Sequence, residues 1–183
     1  MDIIAKAPEG PAPYDVARYF LAVGNGEYGE EWRPYVKAWP ERWNPVIVDF
    51  FQATDLKPEG DETSWCAAFV NWCFQQSVKR VATHSASSGS FRCFGTPTDK
   101  PSLGDVVVFK RVGNDEPCSG HGHVGFFVKD YGTAIEVLGG NQIEGHEQSH
   151  MISSKRLVKD GKVLTLHSYR TDLKIHLSPT VGY

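Results

Sequence analysis

The order of helical and strand patterns along the chain constrains its fold more than any other feature. Helical periodicity stays within the first 80 residues, where it predicts helices over Tyr14–Val23, from Asn44-Pro45 onward, and over Trp65–Gln76. Strand patterns begin only after Leu103. Since the helices precede the strands instead of alternating with them, the sequence predicts an α+β fold with N-terminal helices packed on an antiparallel sheet.

The last of these helices is apolar around most of its circumference. Its apolar residues are Ala67, Ala68, Phe69, Val70, Trp72, Cys73 and Phe74. A helix of this kind is predicted to be buried, and Thr63 or Ser64 is expected to cap its N-terminus. This boundary places Cys66 in the first turn of the helix.

The second half of the chain predicts several short strands. Three of them are expected to form an antiparallel meander: Val106–Phe109, His123–Val128 and Ala134–Leu138. Two more are expected at 151–158 and 163–169, with Asp160-Gly161 as the hairpin turn between them. Leu173–Leu177 is a candidate edge strand. The stretch 82–98 is rich in serine, glycine and threonine, which favours a loop with a short helix.

Length and composition limit the organisation of the chain and its partners. Its 183 residues suit one domain, placed at residues 14–183 after an extended N-terminal arm of residues 1–13. The net charge of -3 argues against a nucleic-acid-binding protein. No apolar run approaches the roughly 20 residues that span a bilayer, so membrane insertion is not expected. The N-terminus lacks the features of a secretory signal, so we expect the protein to be made in the cytoplasm and exported by another route. We also expect a monomer.

Cys66 has a position that suits a nucleophile. Backbone N–H groups at the start of a helix are unpaired and the helix dipole is positive there, and both favour a thiolate. The same N–H groups can bind the oxyanion of a tetrahedral intermediate. The alternative interpretation is a small buried core cysteine, as expected for Cys73 farther along the helix.

A histidine with a matching position begins the second strand of the meander. Glycines flank His123 in the run Gly122–Gly125 and leave its imidazole accessible, so it can accept a proton from a thiol across a helix–sheet interface. Antiparallel pairing brings the end of the next strand beside it. There Asn141 is the first candidate to accept the other imidazole N–H and fix the ring, with Gln142 and Glu136 as alternatives.

Other interpretations of the cysteines and histidines are open at this stage. Cys118, His121 and His123 could bind zinc with Cys93 as a fourth ligand, but the spacing is not a common zinc pattern. We expect no metal, and we expect Cys118 and His121 to line the rim of an active site. A disulfide could join any two of Cys73, Cys93 and Cys118, and Cys93–Cys118 is preferred in an oxidising compartment.

Four segments follow one another in an order that identifies a family. They are residues 61–73 around Cys66, Gly104–Phe109, Gly122–Phe127 and Leu138–Gln142. In this order they resemble the CHAP/NlpC superfamily of papain-like cysteine peptidases and amidases from bacteria and phages. Asn44–Phe51 also resembles the preceding helix of one CHAP-like subgroup, so the resemblance covers about residues 14–145.

The resemblance implies a papain-like fold that hydrolyses amide bonds in peptidoglycan without a metal or organic cofactor. The bond would lie in the stem peptide or cross-bridge, or, for an amidase, between muramic acid and L-alanine. Cys66, His123 and Asn141 would be the catalytic residues. Further candidates are an oxyanion or cleft group of Ser64, Trp65 and Gln142, and a substrate-binding group of Trp72, His121 and Cys118.

The biological setting follows less directly from the sequence. A small wall hydrolase without a signal peptide suggests an antibacterial effector of a contact-dependent system such as type VI secretion, with an immunity protein as partner. A phage lysis enzyme is the alternative. Residues 82–98 depart from the family pattern, so substrate recognition could differ. A catalytically silent binding module is disfavoured because Cys66, His123 and Asn141 are all present.

Overall fold

The computed structural model describes residues 2–10, 12–40, 43–58, 60, 63–143 and 149–172. The helices are α1 (Asp2–Ala5), α2 (Pro13–Gly24), α3 (Pro45–Phe50) and α4 (Cys66–Val78), and short 3₁₀ helices cover Glu30–Val36, Phe51–Ala53 and Ser88–Cys93. The strands are β1 (Thr96–Thr98), β2 (Val106–Arg111), β3 (Gly122–Asp130), β4 (Ala134–Gln142), β5 (Met151–Val158) and β6 (Leu164–Thr171). The predicted edge strand Leu173–Leu177 lies outside the described residues.

The strands form one six-stranded sheet in the order β1-β6-β2-β3-β4-β5, with antiparallel pairing throughout. The α+β class is therefore confirmed. The meander is confirmed as well, because β3 pairs with β2 on one side and with β4 on the other. The stretch 82–98 contains the expected short helix, but its last residues form β1, which the sequence did not predict.

The predicted hairpin between the last two strands forms only next to its turn, where Asp160 pairs with Thr165 and the Leu166 N–H donates to the Lys159 carbonyl at 2.7 Å. The turn itself is present, since the Gly161 N–H donates to the Leu164 carbonyl at 3.0 Å. Beyond the turn the strands separate: β5 pairs with β4, whereas β6 pairs with β2. The reason is apolar burial, because Leu164 and Leu166 on β6 pack against a cluster that contains residues of β2.

The two faces of the sheet contribute to separate apolar clusters. Val106, Val108, Val124 and Phe126 pack with the helices in the main core. Alternate residues of the same strands face the other way, and the second cluster is formed by Val107, Phe109, Phe127, Ile135 and Val137. Since side chains alternate along a strand, β2 and β3 are buried on both faces. This fixes the position of β3 relative to α4.

The helix α4 is buried in the main core along most of its length, as predicted. Its start differs from the expectation, because neither Thr63 nor Ser64 caps it. Trp65 occupies the N-cap position without a side-chain hydrogen bond, and Cys66 is the first helical residue. The N–H groups of the first turn are thus left without a side-chain acceptor at the cap.

The N-terminal helices cover the other side of α4. Asn44 caps α3 as predicted, with its side-chain oxygen accepting the Val46 N–H at 2.9 Å. The expected extended arm instead begins with the helical turn α1, because Ile3 is buried and its carbonyl accepts the Tyr19 hydroxyl at 2.9 Å. Among the described helices, each is too short or too polar to cross a membrane.

Candidate active site

Cys66 lies where the head of α4 meets the start of β3. Its side chain is almost fully buried, with 4% of the residue exposed, and its sulfur is near the backbone N–H groups of Val124 and Ala67. Val124 follows His123 directly in the strand. The fold therefore brings the thiol beside the histidine strand, whereas the His123 ring itself lines a separate cavity with Asn141 and Gln142.

His123 is also buried, with 7% of the residue exposed. It pairs with Phe109 in the register between β2 and β3. Its Nε2 atom is buried and has no hydrogen-bond partner among the described residues. A buried ring nitrogen without a partner is costly, and the nearby Gln142 side chain is the group that acts on it.

Burial changes the protonation of both groups. Burial raises the pKa of the Cys66 thiol, and the nearby N–H groups of Val124, Ala67 and Cys66 itself oppose this only in part. Burial also lowers the pKa of His123 from 6.5 to about 4; the Gln142 side chain opposes this effect and the Lys155 charge reinforces it. The free site therefore holds a neutral thiol and a neutral imidazole, and not the thiolate that the helix position alone would favour.

The buried imidazole predicts a loss of stability in acid. Between pH 6.5 and about pH 4 the unfolded chain binds a proton at His123 that the folded protein does not bind, so the free energy of unfolding falls as the pH falls. Each tenfold change in proton affinity corresponds to about 1.4 kcal/mol, which gives about 3 kcal/mol over this range. Urea unfolding at pH 7 and pH 4.5 measures it.

The matched variant for this measurement is His123→Gln, which has no titrating ring. Its stability is expected to fall less than that of the wild type between the two pH values, so the difference between the two proteins narrows or reverses in acid. Parallel loss of stability in both proteins would show that His123 is not protected from protonation in the folded state.

The amide next to the imidazole is that of Gln142. An added Cβ at Gly139 would lie 3.3 Å from His123 Nε2 and 3.5 Å from Gln142 Nε2, so the two side chains flank the same glycine. Gln142 Nε2 donates to the Ser153 carbonyl at 2.6 Å and to the Gly139 carbonyl at 3.1 Å. Its Oε1 is buried without a partner among the described residues and is available to the ring.

A β-bulge lies between the candidate amides and the rest of β4. Between Gly139 and Gln142 the pairing of β4 with β5 shifts, and Asn141 has a left-handed backbone with φ of 60°. An extra residue in one strand reverses the side of the sheet on which the following residues lie. Asn141 and Gln142 both line a small cavity together with His123, and the Asn141 carbonyl oxygen is 3.2 Å from Nδ1 of His150.

A cleft of about 500 Å³ opens at Cys66. Two of the predicted site residues, Ser64 and His121, line it. The other lining residues were not predicted: Leu56, Thr63, Ala86, Ser87, Ser88, Arg111 and Gly122. Its volume is in the range of small-molecule and peptide sites, so a substrate segment can reach the sulfur from this side.

Polar contacts from the core hold one wall of the cleft. Asn71 is fully buried on α4, accepts the Thr83 N–H at 2.8 Å and donates to the Ser85 carbonyl at 3.0 Å. These bonds fix the chain just before the lining residues 86–88. Asn71 was not among the predicted site residues, and the available signal was a single polar residue within an apolar helix, which is typical of a buried polar contact.

The opposite wall is tied to the first by a disulfide. Cys93 and Cys118 are joined, which confirms the preferred pairing. Both sulfurs are thus unavailable as thiolate ligands, so a zinc site that uses Cys93 and Cys118 is excluded. The Ser87 hydroxyl donates to the Gly120 carbonyl at 2.7 Å, and the Gly89 N–H donates to it at 3.1 Å.

Three predicted site residues have other positions than expected. Trp72 is 5% exposed and packs edge-on against Phe20, so it is a core residue and not a substrate contact. Cys118 is exposed in the disulfide and supports the wall instead of lining the cleft. The Trp65 side chain is fully buried, and an added Cβ at Gly140 would lie 2.4 Å from its ring.

Comparison with known proteins gives a family for the central part of the chain. Residues 58–141 match the family model of the CHAP domain. The matched segment contains Cys66 and His123 and ends at Asn141, and it confirms the resemblance drawn from the four sequence motifs. Neither the curated proteins nor the solved structures include a significant match to the chain.

Proposed function

We propose, from the match of residues 58–141 to the family model of the CHAP domain, that this protein is a cysteine hydrolase that cleaves an amide bond in the peptide stem or cross-bridge of peptidoglycan. CHAP domains are typically cysteine peptidases or amidases that act on this polymer. The observation that carries the proposal is the meeting of Cys66 and the His123 strand at an open cleft.

The chemistry is acyl transfer in two halves. In the first half the Cys66 sulfur attacks the amide carbonyl, His123 takes the thiol proton and passes it to the leaving amine, and a thioester forms. In the second half His123 takes a proton from water, the hydroxide attacks the thioester, and the thiol is restored as the acid product leaves. The uncapped N–H groups at the head of α4 are available to the oxyanion in both halves.

The neutral state of His123 leaves its ring free to accept a proton throughout the physiological range. A pKa of about 4 also makes it a weaker base than an imidazole with a pKa near the operating pH, so groups that stabilise the imidazolium are important. The imidazolium that forms during attack needs an acceptor for its other N–H group. We propose that Gln142 Oε1 is that acceptor, with Asn141 as the alternative.

The two amides are distinguished by a pair of variants. Gln142→Ala is expected to lower kcat by at least about tenfold with little change in KM, because it removes the group that orients the ring. Asn141→Gly keeps the left-handed backbone without strain and is expected to retain most of kcat. Steady-state kinetics on a peptidoglycan fragment measures both.

The variant Gln142→Glu distinguishes whether the Gln142 side chain orients the His123 ring or only stabilises the fold. A carboxylate keeps the acceptor for the imidazole N–H but loses the donor to Ser153, so we expect partial recovery of kcat at lower thermal stability. A larger loss of kcat in Asn141→Gly than in Gln142→Ala would assign the orienting role to Asn141.

The proposed activity is tested by digestion of purified peptidoglycan with the wild type and with Cys66→Ala. New fragments from the wild type alone are expected, and their masses identify the bond. New N-termini within stem peptides or cross-bridges indicate an endopeptidase, whereas glycan strands free of peptide indicate an N-acetylmuramoyl-L-alanine amidase. Intact peptidoglycan of several chemotypes after wild-type treatment would instead favour a binding module.

We further propose that the protein acts outside the cytoplasm as an antibacterial effector that is neutralised by an immunity protein. The Cys93–Cys118 disulfide favours an oxidising compartment, where such bonds persist. Expression in the periplasm of a Gram-negative host is expected to lyse the cells, and expression in the cytoplasm is not. Equal tolerance of both would contradict this setting, and a phage lysis enzyme would be supported by a holin-dependent release.

A further inference from the structure

The charge of the cleft comes from one side chain. Arg111 is the one permanently charged residue among the described residues that line it; the others are small, apolar, hydroxyl-bearing or histidine. Arg111 is exposed, and the described part of the chain offers it no ion-pair partner. Its neighbour Lys110 differs, because its ammonium group is paired with Asp115. The guanidinium is therefore exposed at the cleft, without an ion-pair partner among the described residues.

The sheet register fixes the distance of this charge from the histidine. His123 is opposite Phe109, and Gly122 is opposite Lys110. Arg111 is thus two residues along β2 from the level of His123, which is about 7 Å at the usual rise of a strand. Arg111 and Cys66 line the same cleft, so the guanidinium can reach a substituent of a substrate whose scissile amide lies at the Cys66 sulfur.

The backbone of Arg111 is held by the cleft wall. Its N–H donates to the His121 carbonyl at 3.1 Å. The buried Arg92 supports the same loop, since it donates to the Asn114 side chain at 3.1 Å and to the Glu116 carbonyl. The Cys93–Cys118 disulfide closes this wall. A charged group on such a support is preorganised, which reduces the entropy cost of binding a partner.

We infer that Arg111 binds a free carboxylate of the stem peptide beside the scissile amide, and that the protein therefore selects stems with a free carboxylate over stems in which that carboxylate is amidated. The inference rests on the proposed function. A guanidinium presents two parallel N–H donors that match a carboxylate, and a neutral primary amide offers only one acceptor oxygen. Discrimination thus follows from the charge and the geometry of the substrate group.

The test uses two muropeptide substrates that differ only in amidation of the stem carboxylate. The wild type is expected to have a KM about ten to a hundred times lower for the free acid, in line with the loss of one charged hydrogen-bonded pair. In Arg111→Gln this preference is expected to vanish through a higher KM for the free acid, with kcat little changed. Arg111→Lys is expected to keep part of the preference.

The control variant is Lys110→Gln, which removes the same charge from the adjacent position outside the cleft lining. It is expected to keep the full preference. Cleavage of both substrates by the wild type with equal KM, or a preference that survives in Arg111→Gln, would overturn the inference while leaving the hydrolase intact. If the wild type, like Cys66→Ala, cleaves neither substrate, the proposed function itself would be overturned.

Discussion

Substitution of His123 by alanine is expected to lower kcat/KM for peptidoglycan fragments by about 10³-fold or more. The buried imidazole is carried by β3 next to Val124, whose backbone N–H is near the Cys66 sulfur, and its pKa of about 4 keeps it neutral at physiological pH. A burial-raised thiol pKa makes the base more important, because little thiolate exists before the proton is removed. General bases contribute about 10²- to 10⁴-fold, and loss of the base also leaves the leaving amine without a proton donor.

The matched control for this variant is His167→Ala. His167 is exposed on β6 and contacts the Ser168 hydroxyl, and it does not line the cleft at Cys66. Its removal is expected to change kcat/KM by less than about twofold. Both variants are measured with the same purified fragment at pH 7, with circular dichroism to show that they are folded. An His123→Ala variant with wild-type activity would remove the general base from the proposed mechanism.

Removal of the Cys93–Cys118 disulfide is expected to produce the largest loss of stability of any change outside the core. The bond joins residues separated by 25 positions, and closing a loop of this size restricts the unfolded chain by about 3 to 4 kcal/mol. The double variant Cys93→Ala/Cys118→Ala is therefore expected to unfold at a lower urea concentration by that free energy. Activity is expected to fall as well, because the bond connects the two walls of the cleft.

The wild type treated with a reductant is the companion to the double variant. It is expected to lose the same free energy of unfolding, whereas the reductant should leave the stability of the double variant unchanged. Cys66 and Cys73 are free in both proteins, so the comparison isolates the one bond. Equal stability of the oxidised wild type and the double variant would contradict the role assigned to the disulfide.

Patterns local in the sequence predicted much of this architecture. The buried helix that begins near Cys66 and the meander that carries His123 follow from apolar periodicity and turn residues, which are properties of short segments. The CHAP resemblance rests on the same segments and is confirmed over residues 58–141. The helix near Cys66 and the pairing within the meander could therefore be predicted without knowledge of distant contacts.

Features that depend on distant contacts were harder to predict. The pairing of β6 with β2 depends on apolar burial between strands far apart in sequence, and the turn at Asp160-Gly161 is equally compatible with a hairpin. The bulge at Asn141 arises from pairing between β4 and β5. One extra residue there changes the side of the sheet on which the following residues lie, and the alternation of apolar residues in the sequence does not reveal it.

The protonation state and the cleft lining are also tertiary properties. The helix N-terminus favours a thiolate at Cys66, but burial by β3 acts in the opposite direction and is the larger effect. Arg111 looks like an ordinary end to a strand in the sequence. Only the register of β2 against β3 places it near the level of His123, so the signal lies in the strand pairing and not in the residue itself.

The central claim is that Cys66 becomes acylated by the substrate. The most direct measurement is intact-protein mass spectrometry of a rapidly quenched reaction with a muropeptide, followed by peptide mapping. The account predicts a mass increase equal to the acyl fragment, located on Cys66, which forms within one turnover and is absent from Cys66→Ala. Product formation by Cys66→Ala at the wild-type rate, or an acyl group located on another residue, would contradict it.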